Sequence, residues 1–118
     1  MKLLKSIKSF KFALAGLRWL IRHENNFKIH ITAVFLVVVL GWYLNITSID
    51  WICIIFCIGG VVTAEAFNTA IEQLVDWHSE ERHPKLGLIK DIAAAAVLLM
   101  SLTAAIVGMI VFLRYLLI

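Results

Sequence analysis

Residues 51–76 read WICIIFCIGGVVTAEAFNTAIEQLVD, and the fold turns on how this stretch changes character along its length. Its first half, Trp51–Ala64, carries no charge, the composition of a helix immersed in hydrocarbon. From Glu65 the helical register continues to about Val75, but Glu65, Asn68, Glu72 and Asp76 now recur at i, i+3, i+7 and i+11. At about 100° per residue these four fall within roughly 80° of one another around the helix. One span therefore carries a stripe of three carboxylates and an amide from membrane depth to one edge. Like charges at such spacing repel, and a carboxylate inside a bilayer costs several kcal/mol. Pairing with Lys or Arg at a solvated helix end would explain Asp76 alone. The whole stripe calls for a cation.

Two further apolar runs flank this one. Phe27–Ile46 holds twenty residues, about 30 Å of helix, enough to cross the hydrocarbon core. Ile92–Leu113 has no charge until Arg114. The spans are thus expected at 27–46, 51–75 and 92–113, with Trp42 and Tyr43 as interfacial anchors. Between them lie NITSID (45–50), without a cation, and the polar loop WHSEERHPKLGLIK (77–90), with the only proline, Pro84. Ahead of the first span, Leu3, Ile7, Phe10, Leu14, Leu17 and Ile21 follow steps of three and four, with Lys and Arg between them. Residues 1–26 are expected as an amphipathic helix along the interface, Trp19 at headgroup depth. A surface helix packed on the remainder is the alternative.

The expectation is an all-α membrane protein, a single domain over 1–118, with one interfacial helix and three transmembrane helices. Composition agrees. Apolar residues make up 62% of the 118 and charged ones 16%, against about 45–50% and about 25% in soluble domains, and disorder requires low hydrophobicity. Seven of the eleven cations fall within residues 1–28 and three within 77–90. The positive-inside rule then puts the N-terminus and the 77–90 loop in the cytoplasm and the C-terminus outside, where Arg114 can snorkel to the interface. The basic start reads as membrane-surface binding and not as nucleic-acid recognition, since spans follow it and no reader domain does. No cleavable signal peptide is expected. Cys53 and Cys57 read as small hydrophobes, His78 and His83 lack the second pair a zinc site needs, and Ala104 and Gly108 offer a small-residue face for helix packing.

The cation that suits the stripe is Mg²⁺, which takes hard oxygen ligands, one or two carboxylates plus phosphate oxygens. Glu24 is the one acid among the N-terminal cations, at the same edge; a salt bridge to Arg22 or Lys28 is its plainer reading. Lys90 and Asp91 stand at the cytoplasmic entrance of the third span, suited to phosphates and to metal or ribose, although Asp91 could simply cap that helix. Glu80, Glu81 and His83 lie near the same level. Thr69 could bond to substrate, but bonding back to a helix carbonyl is the expected use. Together these groups suit phosphoryl transfer from a metal–nucleotide complex to a lipid hydroxyl at the interface. No Walker-type G-x-x-x-x-G-K-[ST], H-R-D or D-F-G is present, which excludes the known soluble kinase folds. So short a chain offers few walls for such a substrate, and an oligomer is expected.

The run Glu65–Asp76 (EAFNTAIEQLVD), His83-Pro84, Lys90–Leu98 (KDIAAAAVL), Gly16–Arg18 (GLR) and Glu24–His30 (ENNFKIH) resemble, in order and spacing, the prokaryotic diacylglycerol kinase family. These are small trimeric membrane lipid kinases. The resemblance covers essentially the whole chain and implies a homotrimer with composite sites in a bacterial inner membrane. It implies Glu65 as general base, Asn68 beside the reacting centre, and Asp76 supporting it. It implies Glu24 and Glu72 as ligands of Mg²⁺ and ATP, with Phe12, Glu81, Arg82, His83, Lys90 and Asp91 on the nucleotide. The family divides between diacylglycerol and undecaprenol as acceptors. ENNFKIH, with Ala13 and His30 where the enterobacterial type carries Ser and an acid, is more similar to the undecaprenol group. A proton-coupled transporter is the rival from another class, but it needs one membrane carboxylate and not a stripe plus Lys-Asp. A non-enzymatic membrane subunit would tolerate loss of Glu65.

Overall fold

The computed structural model describes residues 1–78 and 83–117. Among them every regular element is helical: α1 (Lys2–His23), α2 (Asn25–Leu44), α3 (Ser48–His78) and α4 (Pro84–Leu116). The last three are long and apolar enough to cross a membrane. Only 11–22% of their most apolar stretches is buried within the chain, so the outward faces require lipid or other chains around them.

Each joint has a local cause. α1 and α2 meet at Glu24, the single residue between them, in extended conformation (φ −104°, ψ 112°). Its N–H still donates to the Leu20 carbonyl at 3.0 Å and its carbonyl accepts from the Lys28 N–H at 3.1 Å, so the chain bends there without losing either bond. α2 ends at Asn45, in the left-handed region (φ 53°, ψ 53°) that Asn tolerates better than most residues. The N–H of Ile46 then reaches the Gly41 carbonyl at 3.2 Å. Gly41 is needed here, because a Cβ on it would stand 2.9 Å from the Trp51 ring. α3 opens with a reciprocal cap: the Asp50 N–H donates to Thr47 Oγ1 at 3.2 Å and the Thr47 N–H to Asp50 Oδ2 at 3.3 Å. Tyr115 donates its hydroxyl to Asp50 Oδ2 at 2.5 Å, and Arg114, expected to snorkel, donates Nη2 to Asp50 Oδ1. The end of α4 is thereby fastened to the start of α3.

The stretch 77–90, expected as a polar loop, is shorter than that. α3 runs on through His78, and α4 starts at Pro84, whose fixed φ suits a first helical position. His83 caps that start, its Nδ1 accepting from the Lys85 N–H at 3.3 Å. Asp91 therefore lies about two turns inside α4 and does not cap it.

α3 packs most extensively on α4, less on α2, and α1 touches little. The core of Ile46, Ile54, Val111 and Phe112 sits at the Asn45 end, beside the Asp50 cluster. From this core toward His30, α2, α3 and α4 enclose an apolar groove of about 380 Å³, with His30, Val34, Val61, Ala104, Gly108 and the core residue Phe112 among its walls. Ala104 and Gly108 thus line open space; a Cβ on Gly108 would meet nothing within 4 Å. No residue of α1 is buried. The molecule is thin, 54 × 44 × 22 Å.

Candidate active site

The acidic stripe lies on α3 as its spacing requires, and its burial is graded. Glu65 and Asn68 are buried, at 3% and 6% exposure; Glu72 is half-buried and Asp76 is exposed. Thr69 lies on the same face and is fully enclosed. Helix rise fixes the depths of the other groups. Glu24 stands about 30 Å along α2 from the Asn45 turn, and the same distance along α3 reaches Asn68. Lys90 lies 25 residues before Tyr115, about 37 Å, which brings it level with Asp76. All three helices therefore deliver their polar groups to one end.

The contacts agree with these depths. Asn68 donates Nδ2 to Glu72 Oε1 at 3.2 Å, so the amide ties two acids of the stripe together. Lys90 Nζ donates to Asp76 Oδ1 at 2.9 Å, joining α4 to α3 through a residue expected at the nucleotide and one expected to support the reacting centre. His30 of α2 brings Nε2 to 3.5 Å from Glu65 Oε2. Two buried acceptors, Asn68 Oδ1 and Thr69 Oγ1, have no hydrogen-bond partner among the described residues. Thr69 thus makes no bond back to a carbonyl, against the sequence expectation. Buried polar atoms left unpaired are uncommon and call for a ligand, water or ion.

Glu24 is half-buried at the α1–α2 joint and forms no ion pair with Arg22 or Lys28 among the described residues. Phe12 is 77% exposed on α1, and Asp91 is exposed. His83 is occupied as a helix cap. Glu80, Glu81 and Arg82 lie outside the described residues. Two groups escaped the sequence reading. His30 was noted only as a polar residue at a span edge and as a departure from the enterobacterial pattern, and its approach to Glu65 joins two helices, which periodicity along one helix cannot show. Asp50 carried a signal, the T-x-x-D spacing of a capping pair.

A buried carboxylate, two acceptors unpaired among the described residues and a second, half-buried acid thus lie on one face of a helix long and apolar enough to cross a membrane. The sequence profile described as prokaryotic diacylglycerol kinase matches residues 11–112. The chain belongs to that family. It is similar to the undecaprenol kinase of Bacillus subtilis (strain 168), with 37% identity over 106 residues, 90% of this chain and 86% of the relative. It is also similar to the diacylglycerol kinase of Escherichia coli (strain K12), with 34% identity over 100 residues, 85% and 82% of the two chains. The diacylglycerol kinase of Haemophilus influenzae is 32% identical over 91 residues, 77% of each chain. As a member of the prokaryotic diacylglycerol kinase family, the chain is a multi-pass membrane lipid kinase, an enzyme of ATP-dependent phosphoryl transfer.

Proposed function

We propose that this kinase transfers the γ-phosphoryl group of ATP to the hydroxyl of undecaprenol at the cytoplasmic face of a bacterial inner membrane. The observation that carries the chemistry is the buried Glu65 carboxylate flanked by the unpaired acceptors of Asn68 and Thr69. Glu65 takes the proton of the lipid hydroxyl as its oxygen attacks the γ-phosphorus. The bond from that phosphorus to the β,γ-bridging oxygen breaks, ADP leaves, and the phosphorylated lipid retains the transferred group. Asn68 keeps Glu72 in place through Nδ2, which leaves its Oδ1 free to accept from the substrate side.

Mg²⁺ fits the donor set. Glu24, free of ion pairs among the described residues, and Glu72 offer hard oxygens at one end of the molecule. No three His, Cys, Asp or Glu among the described residues close a cage, and Mg²⁺ does not need one, because it keeps waters and phosphate oxygens. Glu24 and Glu72 would hold the ion on the nucleotide phosphates, where it would offset charge as it develops. Lys90 and Asp91, with Glu81, Arg82, His83 and Phe12, complete the nucleotide side; Asp76 sets the position of Lys90. The basic residues of α1 and of 77–90 face the cytoplasm, the C-terminus the outside.

Undecaprenol is favoured over diacylglycerol by the ENNFKIH segment and by the similarity to an undecaprenol kinase. The apolar groove that ends at His30 offers room for part of a long isoprenoid. A homotrimer with sites shared between subunits completes the walls that so thin a chain lacks. The deciding experiment offers undecaprenol and diacylglycerol side by side to purified protein in detergent with labelled ATP. A higher kcat/KM for undecaprenol is expected; a preference for diacylglycerol would reverse the lipid assignment, and no lipid-dependent label transfer would end the kinase reading.

A further inference from the structure

Glu65 is 3% exposed, and among the described residues its carboxylate has one basic partner within 4 Å, the His30 imidazole. That ring has a second contact surface: it forms part of the wall of the apolar groove between α2, α3 and α4. His30 therefore stands where the groove meets the carboxylate. A lipid whose tail lay in the groove would bring its hydroxyl past this ring to reach Glu65. Nε2 lies 3.5 Å from Oε2, a separation that closes to a hydrogen bond with a small shift, as catalytic contacts do when substrate binds. With Oε2 held by the ring, Oε1 is the oxygen left to meet the acceptor.

We propose that His30 is a positioning residue for phosphoryl transfer: through Nε2–H it holds Glu65 Oε2, so that Oε1 faces the lipid hydroxyl arriving from the groove. The role needs a donor at the Nε2 position and no proton transfer by the ring. It rests on the reading of Glu65 as the base.

The test compares His30→Ala, His30→Gln and His30→Asn with Glu65→Gln in detergent, measuring kcat, KM for ATP and for lipid, and binding of a fluorescent ATP analogue. The Gln amide reaches as far as Nε2; the Asn amide ends near Nδ1 and falls short of Glu65. We expect His30→Ala and His30→Asn to lose about 10–100-fold in kcat, the scale of a displaced catalytic group, with KM for ATP unchanged. His30→Gln should recover to within a few-fold of the parent. A purely structural His30 would not rank the amides by reach. Near-parental kcat in His30→Ala, or equal losses in His30→Gln and His30→Asn, would overturn the proposal. Should His30→Ala fail to bind nucleotide through misfolding, the Gln–Asn pair decides. Failure of the base reading shows separately, as normal turnover in Glu65→Gln, and takes this proposal with it. A dead Glu65→Gln beside an active His30→Ala removes the positioning role alone.

Discussion

At the residue scale, Glu65 and Glu72 share one helix face and part in burial, and the roles proposed for them follow that difference. Glu65 is enclosed, the proposed base; Glu72 is half-buried, the proposed ligand of a metal-bound triphosphate. Glu65→Gln keeps the size and removes the proton acceptor. Its kcat should fall by about 10²–10⁴-fold, with binding of an ATP analogue nearly intact; parental turnover would refute the assignment. Glu72→Ala should instead raise the Mg²⁺ concentration needed for half-maximal rate and weaken nucleotide binding. An unchanged Mg²⁺ titration would remove Glu72 from the metal site. The stripe itself was legible because its logic is internal to one helix: four polar residues spaced to share a face need no knowledge of what lies opposite. The His30–Glu65 approach and the Lys90–Asp76 pair were not legible as contacts, since both depend on how deep α2 and α4 sit against α3. Thr69 failed for a related reason. A mid-helix Thr usually bonds to its own backbone, and only the packed structure shows a hydroxyl left free beside the acids.

At the scale of elements, the helices are joined by short connections and fastened most firmly at the end away from the stripe. Asp50 gathers the α3 cap, the Tyr115 hydroxyl and the Arg114 guanidinium onto one buried carboxylate. Asp50→Ala removes the acceptor for three donors at once, which is more damaging than losing one bond because the α3 cap and both side-chain ties from the end of α4 go together. Thermal unfolding in detergent should begin several degrees lower. Asp50 is fifteen residues from Glu65, about 22 Å along α3, so the KM values of the folded fraction should not move. A parental melting temperature would show that the cluster adds no stability. The three spans were readable from hydropathy and length. The 77–90 stretch was misread as loop, because polar residues conceal a helix start whose signals are Pro84 at the first position and a capping His83, a residue type outside the usual Ser, Thr, Asp and Asn caps.

At the scale of the molecule, the thin arrangement bears on where each site is completed. α1 buries none of its residues, and Phe12 lies twelve residues, about 18 Å of helix, from the Glu24 joint. In the proposed trimer, a side chain that far out along α1 and 77% exposed would serve the nucleotide of a neighbouring copy better than its own. Sites shared around a ring follow if the subunits associate head to tail, each lending one surface to the next. Subunit mixing tests this. Phe12→Asp alters an exposed position and should fold, yet bring an anion toward the triphosphate and depress activity; Glu65→Gln removes the base. Each variant alone should be nearly inactive. Unfolded separately, combined in equal amounts and reassembled, they form some sites with Phe12 from one subunit and Glu65 from the next, about a quarter of the total for random head-to-tail mixing. Recovery of activity near that fraction is expected. If Phe12 and Glu65 of the same chain built each site, every mixed site would still contain one defect, and the mixture would be no more active than its components.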